Sequence, residues 1–490
     1  MALEKVVIIG AGPAGLTAAY ELSKSGIRSI VLEKGLRVGG LARTEIYKGY
    51  RIDVGGHRFF TKVPEVEALW REVLGDDLLT RPRLSRIYYD QKLFVYPLRL
   101  GDALGKLGVP ESARIMRSYL RSRAFPQRPE DTFEAWVSNR FGRRLFEIFF
   151  KSYTEKVWGI PCGEISARWA AQRIQSLSLP RAAWNAVFGQ RDVGIKSLIQ
   201  AFEYPRQGPG MLWERVADMV TSRGGQVRLG AEVTRVAHRD DRAIGVTVRH
   251  DGREEVIDAD AVISTMPIRE LVAALDPPAP DAVRAVASRL AYRDFLTVAL
   301  VVNQAHVFPD NWIYIHEPSV RVARIQNFKN WSADMVADPS KTCLGLEYFC
   351  TVEDDIWEMG DADLVRMAAS ELERLGLAQA VDMEDGVVIR QPKAYPVYTG
   401  EYESYLQTLR RFLETLSNVQ TIGRNGMHMY NNQDHSMLTA MLAVRNLLGE
   451  KHDVWTVNVE RAYHEEVRVS SPSGGERSMR SLRKVFGVRA

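Results

Sequence analysis

The stretch Gly10-Ala11-Gly12-Pro13-Ala14-Gly15 limits what this chain can fold into more than any other. It lies between an apolar run, Val6-Val7-Ile8-Ile9, and an apolar-periodic segment from Leu16 to Leu22, so it reads as strand, tight turn and helix. In that setting each glycine has a physical task. Gly10 makes the turn, Gly12 lets backbone N–H groups approach a pyrophosphate, and Gly15 lets helix and strand pack closely. The helix opens with Pro13 and Ala14 and points its positive end at the phosphates. The next apolar run, Ser29-Ile30-Val31-Leu32, ends in Glu33 and Lys34, about where an acidic residue takes the ribose hydroxyls. A dinucleotide site on an α/β domain is the expectation.

A second glycine turn refines the cofactor. Arg37-Val38-Gly39-Gly40-Leu41-Ala42-Arg43-Thr44 occurs where a nicotinamide dehydrogenase runs on into its next helix and strand. Gly39, Gly40, Leu41 and Ala42 add backbone donors, and Arg43 adds a cation along an extended ligand, which suits FAD better than NAD. Val54-Gly55-Gly56-His57 then brings two glycines that let the main chain approach a flat ring, with His57 at its edge. A lone histidine serves equally as a structural residue. Val233, in a later strand-like run, is a candidate to meet the adenine through its backbone. Near the end of the chain, Val419 to Gly426 reads as a strand and turn, followed by an amphipathic helix from about His435 to Leu448. The positive end of such a helix stabilises the negative charge of reduced flavin. Gly423, Arg424, Asn432, Gln433, His435 and Ser436 are the candidate residues there.

Composition excludes some classes. Hydrophobic residues make up 46% and charged residues 26% of the 490, and the net charge is only +4, which gives no support to a nucleic-acid surface. Cys162, Cys343 and Cys350 have no metal-ligand spacing, so no metal site is expected, and three thiols without a disulfide framework fit a reducing compartment. The first strand begins within a few residues of Met1 and the longest apolar run, near Phe295 to Val302, is too short to span a bilayer. A cytoplasmic protein with no transmembrane segment is expected, and a homodimer is among the assemblies left open.

Between the cofactor segments the pattern changes. Residues 84–100 read as strands, and residues 100–175 as helical and basic. Asp131-Thr132-Phe133-Glu134 has capping-box spacing, and the four arginines between Ser112 and Arg123 read as a solvated face. Phe149 to Gly159 sets aromatics beside cations; read alone, it fits a ligand pocket or a core. Beyond Ser470 the chain is polar and basic, the pattern of a mobile tail.

Assembled, these pieces resemble the flavoprotein superfamily of amine oxidases, protoporphyrinogen oxidases and UDP-galactopyranose mutases. Tyr153-Thr154-Glu155-Lys156-Val157-Trp158-Gly159 is similar to the Tyr-Thr-x-Lys-Gln-Trp-Gly motif of the mutases, with Val157 in place of Gln. Gly56-His57 resembles their Gly-Pro-His flavin-side motif, Arg173 falls near their mobile-loop arginine, and Arg324-Ile325 with Lys329 resembles the segment of their second pyrophosphate-binding arginine. Gly423-Arg424 followed by Tyr430 resembles their C-terminal motif, with Asn432 where an aspartate is expected.

The resemblance implies a Rossmann-type FAD-binding domain of the amine oxidase-like, glutathione reductase-related class, with an inserted mixed helical and β-sheet substrate domain. The cofactor domain is expected from residues 1–85, 204–270 and 416–455. The substrate domain falls to residues 86–203, mainly helical, and 271–415, rich in β-strand; residues 456–490 form an extension. The implied catalytic set is His57, Trp158, Arg173, Arg324 and Tyr430. The implied reaction is a redox-neutral pyranose/furanose isomerisation of a nucleoside-diphosphate sugar by N5 of reduced FAD. The alternative is an oxidoreductase that passes hydride from another small-molecule substrate to the flavin.

Overall fold

Five short strands from three separate parts of the chain come together as one parallel sheet. The order across it is Val419–Thr421, Ala261–Ser264, Val6–Ile9, Ser29–Leu32 and Gln226–Arg228, in a computed structural model that describes residues 3–167, 201–398 and 401–458. The three central strands are almost wholly buried, which is why they read as nearly continuous apolar runs rather than alternating ones. Numbered along the chain, the order is 5-4-1-2-3, the doubly wound arrangement that opens a crevice where the strand order reverses. Helices Pro13–Lys24, Gly210–Ser222 and Gln433–Leu447 cover one face, around Leu16, Trp70, Trp213 and Met437. A four-stranded sheet and helices Ile268–Ala274 and Tyr402–Leu413 cover the other.

A mixed seven-stranded sheet stands apart from this body. Its order is Met383–Pro396, Tyr292–Val302, Thr342–Cys350, Arg324–Asn327, Trp312–Ile315, Ser85–Tyr89 and Lys92–Val95. Against its end packs a lobe of helices between Leu100 and Trp158, built on Phe94, Phe133, Phe141, Phe146 and Phe149. The helix cap there differs from the Asp131–Glu134 spacing: Thr132 is the cap, its hydroxyl accepting from the Ala135 N–H at 3.2 Å. The Asp131 carbonyl is engaged by the N–H of Ala167, and Thr132 bridges to Ser166, which sets the start one residue later. The arginine-bearing helix Val109–Ala124 fully buries only Ile115, half-buries Glu111, Ser112, Met116, Ser118, Tyr119 and Ser122, and exposes its arginines. Among the described residues no helix is long and apolar enough to cross a membrane, and no group of histidine, cysteine, aspartate and glutamate could hold a metal ion.

Candidate active site

The crevice begins at the first glycine loop. Gly10 has φ +98°, and a Cβ there would lie 2.2 Å from Oγ1 of Thr265, the residue just after the neighbouring strand. At Gly15 a Cβ would sit 1.9 Å from the Gly10 carbonyl, so helix and loop touch backbone to backbone. The second glycine turn closes from above: Gly40 approaches Gly12, and the Gly39 N–H donates to the Ala11 carbonyl at 2.8 Å. Glu33 does two structural jobs beside any ligand role, since its carboxylate accepts from the N–H groups of Ala11 and Gly35, each at 2.8 Å. That fixes both oxygens at the mouth of the crevice. Helix Pro13–Lys24 begins with proline, and its first N–H groups have no intrahelical acceptors.

The hairpin that follows is tied down from below. Thr44 donates to Asp53 at 2.9 Å and accepts from the Gly210 N–H at 3.0 Å, while the Tyr204 hydroxyl donates to the other Asp53 oxygen. Burial raises the Asp53 carboxyl to about 7, against these hydrogen bonds. His57 follows at the turn. Its Nε2 lies 2.9 Å from the Val54 carbonyl, and burial, with Arg424 and Arg324 nearby, lowers it to about 4. The ring is therefore neutral at pH 7, held by the backbone of Val54 and Leu41.

The far half of the crevice is made of side chains. Arg324 and Glu347 are direct cross-strand partners, and the Arg324 Nε donates to the fully buried Glu347, whose second oxygen accepts from Gln326. Burial works against the Arg324 charge, but the carboxylate in contact outweighs it and keeps the guanidinium protonated. Tyr153, Tyr314 and Tyr395 share its electrostatic neighbourhood. Tyr153 stands edge-on to Tyr314 at 5.5 Å, and burial raises its hydroxyl well above the usual range. Across the crevice Arg424 lies over the Tyr430 ring at 4.5 Å, with its Nε on the Asn431 carbonyl at 2.9 Å and Nη1 on Ala394 at 3.1 Å. Tyr430 stacks on Tyr395 at 5.7 Å, and Trp158 leans against Tyr398 at 6.5 Å.

The crevice is continuous, about 1700 Å³, and larger than the roughly 300–1000 Å³ of a site for one drug-sized ligand. It is lined by Gly10, Gly12, Pro13, Ala14, Glu33, Lys34, Gly40, Leu41, Ala42, Arg43, Gly55, Gly56 and His57 on the cofactor side. Val233, Gly423, Arg424, Asn432, Gln433, His435 and Ser436 also reach it, as do Trp158, Arg324 and Tyr430. Gly15 and Gly39 lie behind the wall, where they permit close packing. Arg173 and the C-terminal basic stretch fall outside the described residues.

The lysines of two motif segments turn away from the crevice. Lys156 does not reach toward a ligand: its Nζ is held by the carbonyls of Ile315, Glu317 and Val322 at 3.3, 2.7 and 3.0 Å, and burial lowers it to about 8. Lys329 is likewise held by the carbonyls of Ala305, Pro339 and Lys341. In both, the ammonium satisfies three main-chain carbonyl groups. The late helix starts at Gln433 rather than His435, because Asn432 and His435 form a capping box and His435 is the third residue of the first turn. Tyr314, Tyr395, Tyr398 and Glu347 also shape the site but were not among the candidates. For Tyr314 a signal exists: alternation in Trp312-Ile313-Tyr314 puts both aromatics on one face. Glu347 has none, since only strand register brings it to Arg324.

The chain matches the family described as flavin containing amine oxidoreductase over residues 13–441. It belongs to that family. Its fold is that of the family's FAD-binding flavoproteins. A crystal structure of reduced UDP-galactopyranose mutase superposes with a TM-score of 0.80 at 23% identity, covering 93% of this chain and 98% of that one. Coproporphyrinogen III oxidase of Mycobacterium leprae is 27% identical over 339 residues, 62% of this chain and 68% of that protein. A probable UDP-galactopyranose mutase of Klebsiella pneumoniae is 26% identical over 174 residues, 34% of this chain and 43% of that protein. As a flavin amine oxidoreductase family member the chain is a flavoprotein of an enzyme family. The crevice residues fit a flavin nucleotide: a glycine cradle that side chains would fill, two helix N-termini, and a buried Asn425 Oδ1 on the wall with no hydrogen-bond partner among the described residues.

Proposed function

We propose that the protein binds FAD and rearranges a nucleoside-diphosphate sugar without net oxidation. The observation that carries this reading is Arg324, a cation pinned by its Nε to Glu347 and surrounded by Tyr153, Tyr314 and Tyr395 in the half of the crevice away from the glycine loops. Pinning Nε leaves the terminal nitrogens for a phosphate, in the forked geometry that suits a diphosphate. FAD would lie along Gly10–Ala14, Glu33 and Gly40–Arg43, with its ring toward Gly55–His57 and the start of the Gln433–Leu447 helix. Bound there in reduced form, it supplies a nucleophilic ring nitrogen for the anomeric carbon.

The chain's own groups do the rest. Arg324 holds the departing diphosphate, Trp158 and Tyr153 cover the sugar and exclude water, and Tyr430, backed by Arg424, orients the phosphates from the other side. Neutral His57 stands at the ring edge without adding a positive charge. Residues 1–85, 204–270 and 416–455 form the cofactor half in this reading, and 86–203 with 271–415 the substrate half.

Arg324→Ala tests it. Flavin content should stay unchanged while affinity for nucleoside-diphosphate sugars falls by about 1.5–3 kcal/mol, the worth of a charged hydrogen bond. Unchanged affinity for all such sugars overturns the assignment. A second reading, an oxidoreductase acting on another anionic substrate, is favoured by the similarity to coproporphyrinogen III oxidase. The two separate by stoichiometry: turnover by pre-reduced protein with no acceptor consumed supports the first, and acceptor consumption equal to product supports the second.

A further inference from the structure

Charge is concentrated in one short part of the chain that the crevice does not use. Residues 99–129 carry seven lysines and arginines against two carboxylates, a net +5, whereas the whole chain is only +4. The carboxylates there are engaged: Asp102 pairs with Lys106, and Glu111 pairs with Arg144 and Arg114. Just beyond, Glu130 is held by Arg140, and Asp131 is exposed. The exposed Arg117, Arg121 and Arg123 on helix Val109–Ala124 face solvent with no carboxylate within ion-pair distance among the described residues.

The same helix exposes apolar side chains. Val109 is 82% exposed and Leu120 60%, and Phe125, directly after the helix, is 78% exposed. Val109, Ala113, Leu120 and Ala124 recur at spacings of four, seven and four, so they form a single stripe, flanked by Arg117 and Arg121 one turn apart. An apolar stripe beside arginines suits a surface that is anionic at its face and greasy just beneath. Nucleic acid would answer the arginines but offers nothing to Val109, Leu120 and Phe125.

We propose that the Val109–Ala124 helix with Phe125 is a docking surface for an anionic lipid bilayer. The helix lies in the interface plane, with Leu120 and Phe125 at the acyl boundary and Arg117, Arg121 and Arg123 at lipid phosphates. The contact is peripheral and reversible, because three apolar side chains and a few arginines provide far less than a spanning helix.

The test is co-sedimentation of the full-length flavin-bound protein with vesicles of phosphatidylcholine alone or with one third phosphatidylglycerol. The protein should pellet with the anionic vesicles and be released by raised salt. Arg117→Glu/Arg121→Glu should lower the apparent affinity by more than 20-fold, from about fivefold for each arginine removed. Leu120→Ser/Phe125→Ser should lower binding at high salt most. Each variant is checked for unchanged visible flavin absorption and melting temperature. A separate variant replaces Arg477, Arg480, Arg483, Lys484 and Arg489 by Gln and should bind as the parent does. Three outcomes overturn the proposal: parent protein that stays in the supernatant with both vesicles, a charge-reversal variant that binds as well as the parent, or loss of binding only in the tail variant. Retention on duplex DNA with no vesicle binding also overturns it and points to nucleic acid.

Discussion

The two halves of the crevice are held by different means. The half around Gly10–Gly15 and Gly39–Arg43 is shaped by main chain: Gly10, Gly15, Gly39 and Gly40 bring backbone segments within contact of one another, and side chains contribute little besides Glu33. The half around Arg324 is shaped by side chains from three bodies: Tyr153 and Trp158 from the helical lobe, Arg324, Tyr314 and Tyr395 from the large sheet, and Tyr430 from the loop before the last helix. Backbone contact tolerates almost no change, because there is no rotamer to give way. Side-chain walls tolerate substitution, and it is there that members of one fold can diverge in substrate.

The largest effect is expected in the backbone half. Gly15→Val places a branched side chain against the Gly10 carbonyl, 1.9 Å from even the first carbon, and should yield protein without flavin colour or without a cooperative melt. A yellow, normally stable variant breaks the contrast. Next comes Glu347→Ala, which leaves the Arg324 charge buried without its carboxylate and should cost about 3–5 kcal/mol in urea unfolding while folded protein still takes up flavin. Glu347→Gln should cost less, since an amide oxygen still accepts from Arg324 or Gln326. Equal stability of Glu347→Ala and the parent means that the pair does not hold the far half.

The third prediction concerns Asp53, beneath the junction of the halves. Burial raises its carboxyl to about 7, so the native state binds more protons than the unfolded chain between about pH 4 and 7, and unfolding free energy falls as pH rises through that window. The slope reaches at most about 1.4 kcal/mol per pH unit for one proton. Asp53→Asn should match the parent only below about pH 4, where the unfolded carboxyl is protonated too, and should exceed it by more at pH 8 than at pH 5; urea titrations across this range decide. The smallest effect belongs to Thr132→Ala, which removes a helix cap in the helical lobe and should lower stability by about 1 kcal/mol with flavin binding unchanged.

Much of the backbone half was legible because its signals are local. A glycine at φ +98° or one facing a carbonyl at 1.9 Å admits no other side chain, and the requirement shows in the sequence at that position. The strand Val6–Ile9, the helix after Pro13 and the strand Ser29–Leu32 follow from apolar runs only a few residues apart. The site beyond was legible only in patches. Trp158, Arg324 and Tyr430 stand out by motif resemblance, yet Lys156 and Lys329, from the same motifs, turn inward to satisfy carbonyl groups. Tyr395 has no local pattern to announce it.

By itself, then, the sequence determined the glycine cradle, the acidic residue at its mouth and the α/β character of the body that carries them, because each is decided by steric limits within a few residues. Tertiary structure alone decided that Arg324 is pinned by Glu347, that tyrosines from two bodies stand around that cation, and that Arg424 backs Tyr430. Those contacts join residues as much as 242 positions apart, from Tyr153 to Tyr395. Strand register and lobe packing, rather than local spacing, bring them together, and no short stretch of chain carries that information.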